Sequence, residues 1–240
     1  MLSLFIVSEI SLQDQLTIEG DEAHHAITVM RMAVGEELQV TDGRGRWAQG
    51  SITSIAKKSF TIAISERGES VPAGPELIVI QALTKSDRVR ESIELLVEAG
   101  VDRIIPWQSD HSISKWKEDM HEKWRTAAIA ACKQSRRYTI PEIETPISLG
   151  KIAERFEQDS LLLVLHEAAT QNLSSVVSES STAGKQVVLV IGPEGGISAA
   201  ELQALERIGG KIVKLGNPVL RSAHAGIAGL AAVQALMKRW

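Results

Sequence analysis

The chain has 240 residues, a mass of 26.0 kDa and a net charge of −4 at pH 7. Hydrophobic residues make up 44% and charged residues 23%, as in ordinary globular domains, so a wholly disordered chain is excluded. A single cysteine rules out an internal disulfide and a cysteine-rich zinc site, and no metal-ligand pattern is present. Apolar runs are too short for a membrane span or a signal peptide. We therefore expect a cytoplasmic protein without membrane attachment.

The first 70 residues predict short strands around one helix. Apolar or alternating runs lie at Leu4–Val7, Glu37–Asp42, Trp47–Ser54 and Phe60–Ser65. Asp21 is placed to cap a helix that reaches Met32, and strands at this spacing favour a small β-barrel. The stretch Glu69–Pro75 holds two prolines and a glycine and predicts a linker, so we expect domains at 1–70 and 71–240.

From Glu76 onward, apolar runs alternate with longer helical patterns. The predicted strands are Leu77–Leu83, Arg103–Trp107, Leu161–His166, Gln186–Ile191 and Lys211–Leu215. The predicted helices lie near Arg88–Ala99, Glu118–Ser135, Ser148–Phe156, Gln171–Ser178, Ser198–Ile208 and Ser222–Lys238. Continuous apolar runs are typical of strands buried on both faces. This alternation predicts an α/β domain with a mostly parallel sheet between helices.

Two glycine-bearing bends follow predicted strands. Gly192–Gly196 contains three glycines and leads into a capping box, Ser198 with Glu201, at the start of a helix. Gly216–Arg221 again runs from a strand end into a helix. The first bend has the spacing of neither a phosphate loop nor a dinucleotide fingerprint, and a plain tight turn would also explain it. In an open α/β sheet such bends meet at one edge, so we expect them to form one ligand cavity.

Two helices have unusual compositions. The last one is almost uncharged and must be buried, either in the core or against a second subunit, where small residues at 225–229 permit close approach. The segment Lys115–Arg137 carries seven Lys or Arg against three acidic residues. Such a run is commonly a solvated helix face, but its arginine pair also suits RNA phosphates and bases.

Several motifs together resemble the 16S ribosomal RNA uracil-N3 methyltransferases of the SPOUT class. They are HHAITVMRMAVGEELQVTDGRG, QALTKSDRVRESIELLVEAGV, AIAACKQSRRYTIPEI, LVLHEA, LVIGPEGGISAAE and LGNPVLR, and they span almost the whole chain in the family's order. The resemblance implies a PUA-like N-terminal β-barrel and a parallel α/β domain with a deep trefoil knot. It also implies a homodimer through the knotted domain, S-adenosyl-L-methionine as cofactor, and methylation of N3 of one uridine in the decoding region of the small ribosomal subunit.

Site residues follow from the resemblance by position. Three knot loops would line the cofactor pocket with Leu165, His166, Ile191, Gly192, Pro193, Glu194, Gly196, Leu215, Gly216, Val219, Leu220 and Arg221. Basic side chains at or near turns, or in the positive segment, are expected to contact RNA: Arg31, Arg44, Arg46, Lys57, Lys58, Lys85, Lys115, Arg136 and Arg137.

The sequence departs from the family pattern at Leu95, Asp110, His111, Pro218, Ala223 and His224. Arg221 is the candidate for stabilising negative charge on the deprotonated uracil, with Arg136 or Arg137 possible contributors from a partner subunit. His224 is the candidate base, although it could equally be an ordinary helix residue. Two other functions stay open. The chain could methylate another RNA position or a ribose 2′-hydroxyl, or it could be a noncatalytic RNA-binding assembly factor.

Overall fold

The computed structural model describes residues 2–71, 74–84, 86–156, 159–177 and 186–240. The chain divides into two compact units. The first consists of Met1–Val71 with Cys132–Ile140, and the second of Pro72–Ala131 with Pro141–Trp240. The predicted linker includes 72 and 73, which lie outside the described residues. The sequence did not predict that Cys132–Ile140, far along the chain, groups with the first unit.

The first unit is built on a five-stranded sheet. Its strands are β1 (Ser3–Ile6), β2 (Gln15–Glu19), β3 (Glu37–Thr41), β4 (Arg46–Ile55) and β5 (Ser59–Glu69). They pair in the order β1-β3-β4-β5-β2, with β1 parallel to β3 and the other pairs antiparallel. The register shifts at two points between β4 and β5, and such bulges bend a sheet around its core. Phe5, Leu38 and Phe60 are buried in that core.

The helix of this unit differs from its prediction. Helix α1 covers Gly20–His24 and continues as a π-helical turn over His25–Val29, so it ends before Met32. The N-cap residue is Glu19, which makes no side-chain capping hydrogen bond. Asp21 therefore lies inside the first turn, where its negative charge still favours the positive end of the helix dipole.

Contacts within the first unit explain why it includes residues 132–140. The Thr41 hydroxyl donates to the Tyr138 carbonyl at 2.7 Å, and the Gly45 N–H donates to the same oxygen at 3.0 Å. The rings of Trp47 and Tyr138 stack with centroids 5.2 Å apart. Lys133 Nζ bonds Glu22 at 2.8 Å. Because these bonds join residues about a hundred positions apart, no local sequence pattern could reveal them.

The second unit is a seven-stranded parallel sheet covered by helices. Its strands are β6 (Glu76–Ala82), β7 (Arg103–Trp107), β8 (Glu142–Ile143), β9 (Leu161–Leu165), β10 (Gln171–Asn172), β11 (Gln186–Ile191) and β12 (Lys211–Lys214). They pair in the order β10-β12-β9-β11-β6-β7-β8. The helices are α2 (Ser86–Glu98), α3 (Glu118–Ser135, which ends in the first unit), a 3₁₀ turn at Leu149–Lys151, α4 (Ile152–Arg155), α5 (Leu173–Val176), α6 (Ala199–Arg207) and α7 (Ser222–Leu236).

Most of the predicted elements are confirmed to within a residue or two at each end. The predicted helix at 171–178 is instead a short strand followed by the single turn α5, and Ser178 lies outside the described residues. The central strands β6, β9 and β11 are almost fully buried, as their continuous apolar runs indicated. The α/β class with a parallel sheet and a smaller N-terminal β-sheet is therefore confirmed.

After β12 the chain returns across the sheet to begin α7. This helix packs against α2, β11 and β6. A Cβ on Gly226 would lie 2.7 Å from Leu96 Cδ2, and one on Gly229 would lie 2.7 Å from Leu189 Cδ2, so both glycines allow close packing within the chain. Within the described residues, no helix has the length and apolar character needed to cross a membrane.

Cys132 supplies a testable pH dependence of stability. Burial raises the pKa of its thiol to about 11 from 9.0. Between these pH values the unfolded chain loses the thiol proton, whereas the folded chain keeps it. Deprotonation therefore favours the unfolded state, and the free energy of unfolding, which is unaffected below pH 9, falls as the pH rises towards 11. We expect the free energy of unfolding in urea to fall by about 2 kcal/mol more for the wild type than for Cys132→Ala over this range. Parallel pH slopes of the two proteins would contradict this account.

Candidate functional site

The candidate site lies where three neighbouring parallel strands end. In the order β12-β9-β11 their carboxyl ends are adjacent, and Leu165 at the end of β9 is paired with Ile191 on one side and Val213 on the other. The loops after these strands enclose a pocket of about 390 Å³, a size typical of small-molecule sites. The pocket is lined by Leu165, His166, Glu167, Ile191, Gly192, Pro193, Glu194, Gly195, Gly196, Ile197, Val219, Leu220, Arg221, Ser222 and Ala225.

The two glycine-bearing bends therefore meet in one cavity, as expected. Of the twelve residues predicted to bind a cofactor, ten line this pocket. The other two, Leu215 and Gly216, line an adjoining hollow of about 80 Å³ that shares Leu165, His166 and Leu220 with it. Sequence reasoning missed the lining residues Glu167, Gly195, Ile197, Ser222 and Ala225. Gly195 lies inside the quoted motif, Ser222 directly follows Arg221, and Ala225 lies four residues after Arg221 on the predicted helix, so the sequence held a signal for these three.

The glycine loop after β11 is held in a compact bend. The Gly196 N–H donates to the Pro193 carbonyl at 3.0 Å, and Gly196 has a φ of +76°, a conformation that favours glycine. A Cβ on Gly192 would lie only 2.7 Å from Ile197 Cγ1. Ser198 then begins α6 with the predicted capping box, whose side-chain bonds to Glu201 are both present. Hydrogen bonds within the loop and at the start of α6 thus hold the bend in place.

A second loop, between β7 and α3, supports the glycine loop from outside. His111 Nδ1 lies 3.0 Å from the Gly195 carbonyl oxygen and 3.1 Å from that of Gly196, so this nitrogen carries the donated proton. Asp110 accepts from the Ser198 hydroxyl at 2.7 Å, and its N–H donates to Glu201 at 2.8 Å. These two departures from the family pattern therefore fix the loop that lines the pocket.

The third wall combines exposed apolar side chains with a positive charge. Val219 is 74% exposed and Leu220 is 41% exposed beside the pocket. Arg221 is also exposed and immediately precedes α7. No carboxylate among the described residues forms an ion pair with its guanidinium. The pocket wall therefore offers apolar surface for a flat ring and an available cation.

The two histidines considered for this region have different environments. His166 lines the pocket, and its Nδ1 accepts the Ala168 N–H at 3.2 Å, which leaves the proton of the neutral ring on Nε2. His224, the candidate base, does not line either hollow. Its Nε2 lies 3.4 Å from a carboxylate oxygen of Glu91 on α2. The structure therefore does not bring His224 to the pocket wall.

The three remaining departures from the family pattern are Pro218, Ala223 and Leu95. Pro218 lines the small adjoining hollow. Ala223 is buried in the first turn of α7, and Leu95 is half-buried in α2. None of these three side chains provides a group that could exchange a proton.

The basic residues predicted to contact RNA lie on both units. Arg44 pairs with Thr139 through an isolated β-bridge, which brings Arg44 and Arg46 near the segment that carries Arg136 and Arg137. Arg31 has an unusual positive φ of 58° and Arg136 one of 57°. The remaining basic residues are Lys57 and Lys58, which line a separate hollow of the first unit, Lys115, which is exposed on the second unit, and Lys85, which lies outside the described residues.

Comparison with known proteins defines the class to which this fold and site belong. Residues 72–234 match the family described as RNA methyltransferase domain, and residues 18–65 match the one described as RNA methyltransferase PUA domain. The structure superposes on a putative methyltransferase from Legionella pneumophila in complex with the cofactor SAM, with a TM-score of 0.83, 27% identity and coverage of 97% of this chain and 96% of that one. A Neisseria gonorrhoeae protein that is 24% identical has the same fold, with a TM-score of 0.88 and 98% coverage of both chains.

Relatives with assigned names identify the family more specifically. The chain is 36% identical over 231 residues to ribosomal RNA small subunit methyltransferase E of Mycobacterium bovis, covering 93% of this chain and 87% of the relative. It is 27% identical over 227 residues to the protein of the same name from Bacillus subtilis, covering 90% and 88%. The chain belongs to this family of RNA methyltransferases, which joins a PUA domain to a methyltransferase domain. The resemblance noted from the sequence is thereby confirmed for an RNA methyltransferase family with a PUA domain.

Proposed function

We propose that this chain uses S-adenosyl-L-methionine to methylate N3 of one uridine in the decoding region of 16S ribosomal RNA. The observation that carries the proposal is one pocket formed by three strand-end loops, with Arg221 in its wall, an arginine that no described carboxylate pairs with. The named relatives of the family act on ribosomal RNA of the small subunit, and a fold relative holds SAM, which supports the same cofactor and substrate class here.

The pocket suits S-adenosyl-L-methionine in volume and in chemistry. Its walls combine apolar side chains with backbone at the glycine loop, where a Cβ at Gly196 would meet open space. Among the described residues, the N–H groups of Gly195 and Leu220 have no hydrogen-bond partner and can serve a polar ligand. Val219 and Leu220 offer apolar surface to an adenine ring. When bound, the cofactor supplies an electrophilic methyl group on a sulfonium centre.

Arg221 is proposed to make uracil N3 nucleophilic by favouring its deprotonated form. The N3 proton must leave, and the resulting negative charge spreads over O2 and O4 of the base. A guanidinium held near those oxygens favours the anion and lowers the pKa of the imide. Since His224 faces Glu91 instead of the pocket, we transfer the candidate role of proton acceptor to the carboxylates in the wall, Glu167 and Glu194. His166, with its proton on Nε2, is suited to donate a hydrogen bond.

Recognition of RNA requires more than the pocket. N3 lies on the pairing edge of uracil, so the target base must be unpaired when it enters. We propose that the basic residues of the first unit and Lys115 bind phosphates around it, and that the positive φ of Arg31 and Arg136 reflects a functional constraint on these arginines. We also propose a homodimer through the second unit, in which one subunit presents arginines to the site of the other.

A glycine substitution tests whether the pocket binds the cofactor. Gly192→Ala places a Cβ 2.7 Å from Ile197 Cγ1, so the loop must shift and the affinity for S-adenosyl-L-methionine is expected to fall by about tenfold or more. Gly150→Ala is the matched control, because a Cβ there meets open space. Isothermal titration calorimetry measures both. Equal affinities of Gly192→Ala and wild type would contradict the assignment of the cofactor to this loop.

The function is tested by methyl transfer from labelled cofactor, with naked 16S RNA and assembled small subunits as parallel substrates. Nucleoside analysis of the product identifies the methylated atom. We expect label on N3 of uridine. Label on a ribose 2′-hydroxyl or on another base would contradict the proposed specificity for uridine N3. Cofactor binding without any methyl transfer would identify the chain as a noncatalytic RNA-binding factor.

A further inference from the structure

Gln81 is a buried polar side chain in the middle of the parallel sheet. It lies near the carboxyl end of β6, is paired with Ile191 of β11, and is 1% exposed. Residues 77–80 of this strand and Ala82 are apolar and buried, and burying an amide without hydrogen bonds is costly. A glutamine at this position therefore needs partners, and the partners identify its role.

Those partners form a directed chain of hydrogen bonds. Gln81 Nε2 donates to Ser222 Oγ at 3.1 Å and to the Ala82 carbonyl at 3.2 Å. Ser222 Oγ in turn donates to the Gly192 carbonyl at 2.6 Å. Because the serine has only one proton and gives it to Gly192, it must accept from Gln81, and this fixes the orientation of the amide. Gln81 Oε1 is consequently left without a partner in the described structure.

This chain of bonds joins β6 to two elements that line the pocket, the glycine loop and the start of α7. Ser222 is the first residue of α7 and follows Arg221, while Gly192 is the first residue of the glycine loop. Ser222 is 7% exposed, so solvent cannot easily replace its bond to the carbonyl. We infer that Gln81 and Ser222 are positioning residues, which orient the Gly192 peptide and the start of α7 so that the glycine loop and Arg221 face one ligand.

The inference rests on the proposed function for its binding readout, so the experiment has two arms. The first measures the affinity of each variant for S-adenosyl-L-methionine by calorimetry. Ser222→Ala leaves the Gly192 carbonyl without its donor and is expected to weaken binding by about tenfold. Ser222→Thr keeps the hydroxyl and is expected to restore binding to within about twofold of the wild type. Gln81→Met removes only the second link and should give an intermediate loss.

The second arm needs no cofactor. Hydrogen–deuterium exchange of the ligand-free protein reports the opening of residues 192–197. We expect Ser222→Ala to raise exchange in this loop by about tenfold, with exchange in β6 and β11 unchanged, and Ser222→Thr to behave as the wild type. A merely structural role would instead raise exchange throughout the sheet and lower the melting temperature.

Ser92→Ala is the matched control. Ser92 lies on α2, is 1% exposed, and its hydroxyl has no hydrogen-bond partner in the described structure. Its loss should change neither readout. Unchanged loop exchange in Ser222→Ala would overturn the inference, even where the wild type binds cofactor well. Failure of the wild type to bind cofactor would instead count against the proposed function, and the exchange arm would still decide the positioning role.

Discussion

Replacing Arg221 by alanine is expected to lower kcat by about 10²- to 10³-fold at saturating cofactor and RNA. The guanidinium lines the pocket, carries no ion pair to a described carboxylate, and is the cation available there for the charge that develops on uracil O2 and O4. A loss of this size corresponds to about 3–4 kcal/mol of transition-state stabilisation. Steady-state methyl transfer to small-subunit RNA measures it.

Two companion variants separate charge from geometry. Arg221→Lys keeps the charge without the planar fork and should retain part of the rate. Arg207→Ala, an exposed arginine of α6 outside the pocket, should leave kcat and the melting temperature unchanged. Because Arg221 is exposed, its loss should not destabilise the fold. Wild-type turnover of Arg221→Ala at saturation would contradict the charge-stabilising role.

Among the variants proposed here, Glu144→Ala is expected to lower the free energy of unfolding most, by about 3 kcal/mol. Only 6% of the Glu144 side chain is exposed, and the carboxylate bonds Arg103 Nη1 at 2.9 Å and Arg155 Nε at 2.9 Å. Arg103 is itself largely buried and would keep only its bond to Glu76 at 2.7 Å. Removing the Glu144 carboxylate leaves the buried Arg103 guanidinium with one of its two carboxylate partners. The free energy lost by leaving this charge partly unpaired exceeds the net stabilisation that the ion pair contributed.

The measurement is urea unfolding followed by tryptophan fluorescence. Asp119→Ala is the control, because Asp119 and Lys123 form an even shorter ion pair than Arg103 and Glu144, 2.6 Å, in which both side chains are exposed. Solvent screens that pair, so its loss should cost less than about 0.5 kcal/mol. If the two variants lose the same amount, burial is not the reason that the Glu144 cluster matters.

Much of the second unit could be read from the sequence. The continuous apolar runs of β6, β9 and β11 indicated strands buried on both faces, and their alternation with helices predicted parallel pairing. The glycine loop was recognisable because three glycines and a capping box directly follow such a strand. Since parallel strands end at one edge, the meeting of the two bends followed from topology alone.

Other features depended on contacts that sequence spacing does not encode. Asp110 and His111 looked like departures from a pattern, yet they hold the glycine loop in place through residues more than eighty positions away. His224 stood at helical spacing beside Arg221, yet α7 turns it towards Glu91. A local pattern fixes which residues share a helix, but the rotation of that helix about its axis depends on what packs against it.

The amino-acid sequence by itself determined the class of the fold, the order of its elements and the loops that line the pocket, because burial and glycine conformation are local constraints. Only the tertiary structure decided that His224 faces Glu91 instead of that pocket, how residues 132–140 complete the first unit, and how Gln81 reaches Gly192 through Ser222. These depend on pairs of residues 30 to 141 positions apart, whose hydrogen bonds form only after the backbone has brought them together.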